Sequence, residues 1–75
     1  MTNLYVGRIP IETTEADLMG MFERFDPQSA KIVKDGTTKE SRGFAFVEIN
    51  GSAVDAIAAL YGAELHGKRI IVGIA

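Results

Sequence analysis

Residues 43–49 read Gly43-Phe44-Ala45-Phe46-Val47-Glu48-Ile49 and alternate without a break. Side chains along a strand point to opposite faces, so Ala45, Val47 and Ile49 share one side while Phe44, Phe46 and Glu48 share the other. The first set is compact and aliphatic and suits a core. The second carries two phenyl rings and a carboxylate. That division predicts an antiparallel sheet with one face covered and one face open.

The flanking segments supply the cover. Upstream, Ala30-Lys31-Ile32-Val33-Lys34 predicts a strand, followed by a polar loop from Asp35 to Ser41. Before it, Thr13-Thr14-Glu15-Ala16-Asp17 starts a helix: Thr14 caps free amides, and the acids suit the positive end of the helix dipole. Leu18, Met21, Phe22 and Phe25 follow at helical spacing as one apolar stripe, read as a core face. Gly20 within it costs about 1 kcal/mol relative to alanine, and Asp26-Pro27 ends it. Leu4-Tyr5-Val6 predicts the first strand, stopping at Gly7. Downstream, Ser52 caps a second helix from Ala53 to Tyr61, whose Ala53, Ala56, Ile57 and Leu60 form the buried stripe. Gly62 is placed to end it in a left-handed conformation. After a turn at Leu65-His66-Gly67, Arg69 to Ile74 predicts a last strand, with Ile70, Val72 and Ile74 in phase.

The order β-α-β-β-α-β predicts an α+β two-layer sandwich: a four-stranded antiparallel sheet of order 4-1-3-2 with both helices on one face. The uncovered face is then the place to seek function. Parity in the first strand turns Leu4 and Val6 inward and Asn3, Tyr5 and Gly7 outward. Tyr5, Phe44 and Phe46 therefore meet on two adjacent central strands. Leaving such side chains in water forgoes about 1.5–3 kcal/mol of burial each, and exposed aromatic clusters mark binding surfaces. Nucleic-acid bases suit them, because π-faces stack on rings at about 1–3 kcal/mol per base. Arg42, Lys31, Lys34, Lys39, Lys68 and Arg69 flank the rings as phosphate partners.

Composition narrows the alternatives. Seventy-five residues at 47% apolar content make one domain, residues 1–75, of a size that buries only about 60% of its unfolded surface. With no cysteine and a single histidine, His66, the chain has neither a disulfide framework nor a thiolate metal site. His66 reads as a turn residue, and no nucleophile, acid–base pair, metal or cofactor site is expected. No apolar run approaches ~18 residues, and Met1-Thr2-Asn3-Leu4 lacks the charged start of a secretion signal. The expectation is an intracellular chain: cytoplasmic, or nuclear or organellar in a eukaryote.

Arg42-Gly43-Phe44-Ala45-Phe46-Val47-Glu48-Ile49 resembles the octamer motif of the RNA recognition motif (RRM) family, and Leu4-Tyr5-Val6-Gly7-Arg8-Ile9 is similar to its hexamer motif. The segment from Asp35 to Gly43 resembles the family's D-x-x-T-G-x-S-R-G loop, and Glu64-Leu65-His66-Gly67-Lys68 its e-l-x-G-r turn. Two motifs in order, at family spacing, span essentially the whole chain. The resemblance implies a ferredoxin-like RRM that binds single-stranded RNA without catalysis. Tyr5 and Phe46 would stack on successive bases, Phe44 would pack on the sugar between them, and Arg42 would pair with a phosphate. Asn3 and Lys31 would read base edges, and Lys39 and Arg69 would add contacts. Gly7 and Gly43 would let bases or backbone approach closely. Arg8 stands where asparagine is common, Lys39 where glycine is usual, and Ile71 and Gly73 where polar side chains often reach RNA. About two to four nucleotides are expected to bind.

Three alternatives stay open. Single-stranded DNA offers the same stacking faces. A protein partner would use the acidic helix side or cover the sheet. A small acyl-phosphate hydrolase on the same architecture needs a phosphate cradle after the first strand, where Arg8-Ile9-Pro10-Ile11 offers an arginine but no glycine-rich loop. Nothing in the sequence demands a dimer, so a monomer is expected.

The net charge of −2 seems to oppose a polyanion partner. Sorted by element, however, Glu12, Glu15, Asp17, Glu23, Asp26, Asp55 and Glu64 lie on the helices and adjoining loops, opposed only by Arg24, a net of −6. The strands and the loop before the third strand carry Arg8, Lys31, Lys34, Lys39, Arg42, Lys68 and Arg69 against Asp35, Glu40 and Glu48, a net of +4. The positive side is the side with the rings.

Overall fold

Thr14 opens the first helix as its sequence predicts. Its hydroxyl accepts the Asp17 N–H at 3.1 Å, while the Asp17 carboxylate accepts the Thr14 N–H at 3.0 Å, a reciprocal capping box. In the computed structural model, which describes residues 1–34 and 41–75 but not the side chains of Lys34, Ser41 and Arg42, nine short elements follow the predicted order. They are β1 (Thr2–Gly7), α1 (Glu15–Met21), a 3-10 turn (Glu23–Phe25), β2 (Pro27–Lys34), β3 (Ser41–Ile49), α2 (Ala53–Leu60), β4 (Glu64–Leu65), β5 (Lys68–Arg69) and β6 (Ile71–Ile74).

The main sheet runs β2-β3-β1-β6, and every neighbouring pair is antiparallel. Counting β6 as the last main strand, this is the predicted 4-1-3-2 order, with β1 and β3 central. Leu4, Val6, Ala45, Val47 and Ile49 are fully buried on the inner face, as parity requires. Leu18 from α1, Phe22 directly after it, Ala56 and Leu60 from α2, and Ile9, Ile32, Ile70 and Val72 complete the core. Removing a large aliphatic or aromatic side chain of this kind from water contributes about 1.5–3 kcal/mol.

Two predicted elements are revised. The helical stripe from Leu18 does not stay on one helix: α1 ends at Met21, and Phe25 sits on the 3-10 turn. The chain tightens there because Asp26 takes a left-handed conformation (φ 55°) directly before Pro27, and the Phe25 N–H bonds the Phe22 carbonyl at 2.8 Å. Phe25 still packs against the core from that position. Its carbonyl accepts the Gly51 N–H at 2.9 Å, and a Cβ on Gly51 would lie 2.7 Å from the same oxygen. Glycine is therefore required where α2's leader crosses the end of the 3-10 turn.

The predicted last strand is also two pieces. Lys68 and Arg69 pair with Leu65 and Glu64 in a separate hairpin, and only Ile71–Ile74 joins the sheet. Ile70 makes the break. Its N–H bonds the Ala63 carbonyl at 2.9 Å, and its carbonyl accepts the Gly62 N–H at 2.8 Å, which ties it to the end of α2. His66 (φ 51°) and Gly67 (φ 85°) form the two-residue left-handed turn that closes such hairpins. Ile74, in phase with Val72, is nevertheless 61% exposed.

Candidate nucleic-acid interface

The open face of the sheet is ordered in rows by strand register. Gly7 lies between Phe44 and Ile71; Tyr5 lies between Phe46 and Gly73, with Lys31 beyond Phe46; and Asn3 faces Glu48, with Ser29 beyond. Each residue projects outward because its neighbours on the same strand are core residues. Tyr5, Phe44 and Phe46 are half-buried, and their rings form a closed triangle. Tyr5 and Phe44 centroids are 5.8 Å apart at 32°, Tyr5 and Phe46 6.1 Å at 63°, and Phe44 and Phe46 6.1 Å at 84°. Tilted and edge-to-face pairs at these distances are favourable by about 0.5–1.5 kcal/mol each beyond burial. The rings hold one another in place before any ligand arrives.

The glycines of this face differ from the sequence reading. A Cβ on Gly7 would lie 2.8 Å from both Tyr5 Cε1 and Ile71 Cγ1, so Gly7 makes room for those two side chains and leaves none for a base. The open place is Gly73 beside Tyr5, where a Cβ would meet nothing within 4 Å. Gly43 has a left-handed backbone (φ 87°), and its carbonyl accepts the Ile9 N–H at 3.0 Å.

Of the other predicted contacts, Asn3 and Lys31 are exposed on the open face. Arg69 is on β5, outside the main sheet, where it lines a cavity of about 280 Å³ together with Lys68 and Arg8. The backbone of Arg42 belongs to β3, while its side chain and the whole of Lys39 lie outside the described residues. Arg8 as part of a cationic cluster was missed by sequence reasoning, although a cation directly after the glycine that ends β1 was the available signal.

His66 does more than turn the chain. Its Nε2 lies 3.0 Å from Asp17 Oδ2, joining the β4–β5 hairpin to the start of α1. The hydrogen bond from His66 holds the Asp17 carboxyl below its ordinary value, with the Thr14 amide assisting. The same bond raises His66 above 6.5. Among the described residues, no group of three or more metal-ligating side chains comes together.

The RNA recognition motif model matches residues 4–71. The chain belongs to the RRM family. It is 40% identical over 74 residues to the mitochondrial Glycine-rich RNA-binding protein 2 of Arabidopsis thaliana, covering 95% of this chain and 47% of that protein. It is 39% identical over 72 residues to the Putative RNA-binding protein RbpD of Nostoc sp., covering 92% of this chain and 77% of the relative. The chain spans about half or less of the length of several such relatives. Among solved structures, RNA Binding Protein PG1 superposes with a TM-score of 0.92 at 36% identity, covering 100% of this chain and 94% of that one. The Sex-lethal protein in its RNA complex gives 0.88 at 31% identity, covering 99% of this chain and 46% of that one. These likenesses identify the sandwich as an RRM, whose open sheet face carries the ring triangle.

Proposed function

We propose that this chain is a single-stranded RNA-binding module, residues 1–75 acting as one RRM, in which bases stack on Tyr5 and Phe46 while Phe44 packs against the intervening sugar. The observation that carries the reading is the ring triangle on the open sheet face, with its members 5.8–6.1 Å apart. A base laid on Phe46 or Tyr5 recovers burial that the free protein lacks. Asn3 and Lys31, exposed in the adjoining rows, read base edges, and Arg42, Lys39 and Arg69 engage phosphates. The names of the relatives support RNA as the ligand. Single-stranded DNA presents the same π-faces and binds to the same rings.

The chain acts as a monomer inside the cell. No helix among the described residues is long and apolar enough to cross a membrane. The acidic helix side, where Val54 and Tyr61 are exposed, is the surface left for a protein partner.

Fluorescence anisotropy with short single-stranded RNA and DNA oligomers tests the reading. Phe46→Ala is expected to weaken RNA binding by about 1–3 kcal/mol, or about 5- to 150-fold. Equal binding by the two proteins would remove the stacking mechanism. Chemical-shift changes confined to the helices on adding a protein extract would favour a protein partner instead.

A further inference from the structure

Among the described residues, the cavity beside the end of β1 is lined by three cations. Arg8 leaves β1 directly after Gly7, and Lys68 and Arg69 arrive on β5, so two separate chain segments bring their charges to one concave space of about 280 Å³. Among the described residues, none of the three forms an ion pair. Glu64 faces Arg69 across the hairpin, yet their side chains do not pair. Like charges gathered around one cavity repel one another, and the repulsion is relieved by a counter-charge inside it.

Arg8 adds a second observation. Its φ is 60°, a left-handed conformation that costs a side-chain-bearing residue of order 1–3 kcal/mol. The surroundings enforce it. Gly7 is still paired with Phe44 and Ile71 in the sheet, and two residues later the Ile9 N–H is fixed to the Gly43 carbonyl at 3.0 Å. The chain must turn within Arg8. Asparagine and glycine tolerate that backbone better, so the position holds a guanidinium at a conformational cost.

We infer that Arg8, Lys68 and Arg69 form a phosphoryl-binding subsite that holds one phosphate of a strand whose bases lie on the aromatic rings. This rests on the RNA-binding reading and extends it to a site beyond the ring face. Chemistry selects the ligand. A guanidinium offers paired N–H donors matched to two phosphate oxygens, and the lysine adds a mobile point charge. Position agrees. Arg8 follows Tyr5 by three residues, about 10 Å along the strand. About three stacked nucleotides at 3.4 Å each cover that distance, and fewer do so when the strand is extended. The phosphoryl group has two sources, an internal phosphodiester or a terminal monoester, and both fit the cavity's chemistry.

The test compares the wild type with Lys68→Gln, Arg69→Gln and Arg8→Asn, the last chosen because asparagine accepts the left-handed backbone. Binding of single-stranded RNA oligomers is measured against salt from 50 to 200 mM, beside Phe46→Ala. Each lost phosphate contact lowers the slope of log K against log salt by about 0.7, so the variants lose about 2.6-fold less affinity across that range than the wild type. Phe46→Ala keeps the wild-type slope and loses affinity at every salt concentration.

Oligomers ending in hydroxyl or phosphate, and oligomers lengthened by two nucleotides at either end, separate the two sources. If a terminal phosphate alone restores the lysine-dependent slope on a short oligomer, the monoester is the ligand; if only lengthening does so, it is the phosphodiester. Unchanged slopes in all three variants, with Phe46→Ala still weakened, would overturn the subsite and leave stacking intact. A wild type that binds no oligomer would overturn both readings.

Discussion

Gly7→Ala gives the sharpest test of how the platform is held. The φ of Gly7 is not positive, so alanine meets no backbone penalty, and replacing a strand glycine contributes about 0.5–1 kcal/mol of stability. Sterics oppose this gain. The new methyl would lie 2.8 Å from Tyr5 Cε1, 2.8 Å from Ile71 Cγ1 and 2.9 Å from Ile71 Cδ1. Reaching ordinary contact at 3.4 Å requires each neighbour to give about 0.6 Å. Overpacking costs about 1–3 kcal/mol in a closed core, and both neighbours here are side chains at an open face. Net destabilisation should therefore be at most about 2 kcal/mol.

Binding should suffer more than folding. The Tyr5 ring is hemmed in by Phe44 at 5.8 Å and Phe46 at 6.1 Å, so it yields by tilting away from its stacking pose. Losing one stacked base costs about 1–3 kcal/mol, a 5- to 150-fold weaker complex. Anisotropy titrations of the wild type, Gly7→Ala, Tyr5→Ala and the double variant check this, with urea denaturation recording stability separately. The two binding effects should fail to add, because alanine at position 7 acts through the tyrosine ring. Wild-type affinity in Gly7→Ala, or additive losses in the double variant, would refute the reasoning.

Other outcomes follow from the same structure. Thr13 is buried, and its hydroxyl has no hydrogen-bond partner among the described residues, so Thr13→Val should raise stability by about 1 kcal/mol in denaturant titration. Gly51→Ala, which drives a methyl to 2.7 Å from the Phe25 carbonyl oxygen, should destabilise the fold by about 1–3 kcal/mol and lower the thermal midpoint. The His66–Asp17 pair should give a stability maximum in pH. Raised His66 contributes fully below 6.5 and loses its contribution as pH climbs through its folded value, while lowered Asp17 contributes fully above 3.8 and loses its contribution as pH falls through its folded value. His66→Gln should flatten the maximum in denaturation curves collected from pH 3 to 8.

Residue alternation alone makes the platform legible in the sequence. In β3 the contrast between Ala45-Val47-Ile49 and Phe44-Phe46 leaves one sensible parity, and β1 repeats it with Leu4-Val6 against Tyr5. Strand order followed from the two crossovers. Harder to read were features set by contacts between distant segments. Ile70 alternates perfectly with Val72, yet its two backbone bonds to Gly62 and Ala63 pull it out of the sheet, and no local pattern signals such bonds. Likewise, the space above Gly7 depends on the Tyr5 and Ile71 side chains, so the sequence could show an outward glycine but not what fills the place beside it. The convergence of Arg8 with Lys68 and Arg69 was hidden for a similar reason: some sixty residues separate them, and only the hairpin brings them together.

Strand β2 runs eight residues along one border of the sheet, with backbone groups that no further strand covers among the described residues. Such a border would template the addition of a second molecule if it were straight and regular. Its pairing with β3 slips twice, between Pro27 and Ser29 and between Ile32 and Lys34, so the border has no continuous register to offer. Pro27 also lacks an amide proton, and Lys31 charges the middle of the strand. Copies crowded side by side along one RNA would therefore meet at edges that do not mesh. Local concentration could rise without fusing their sheets into a fibre.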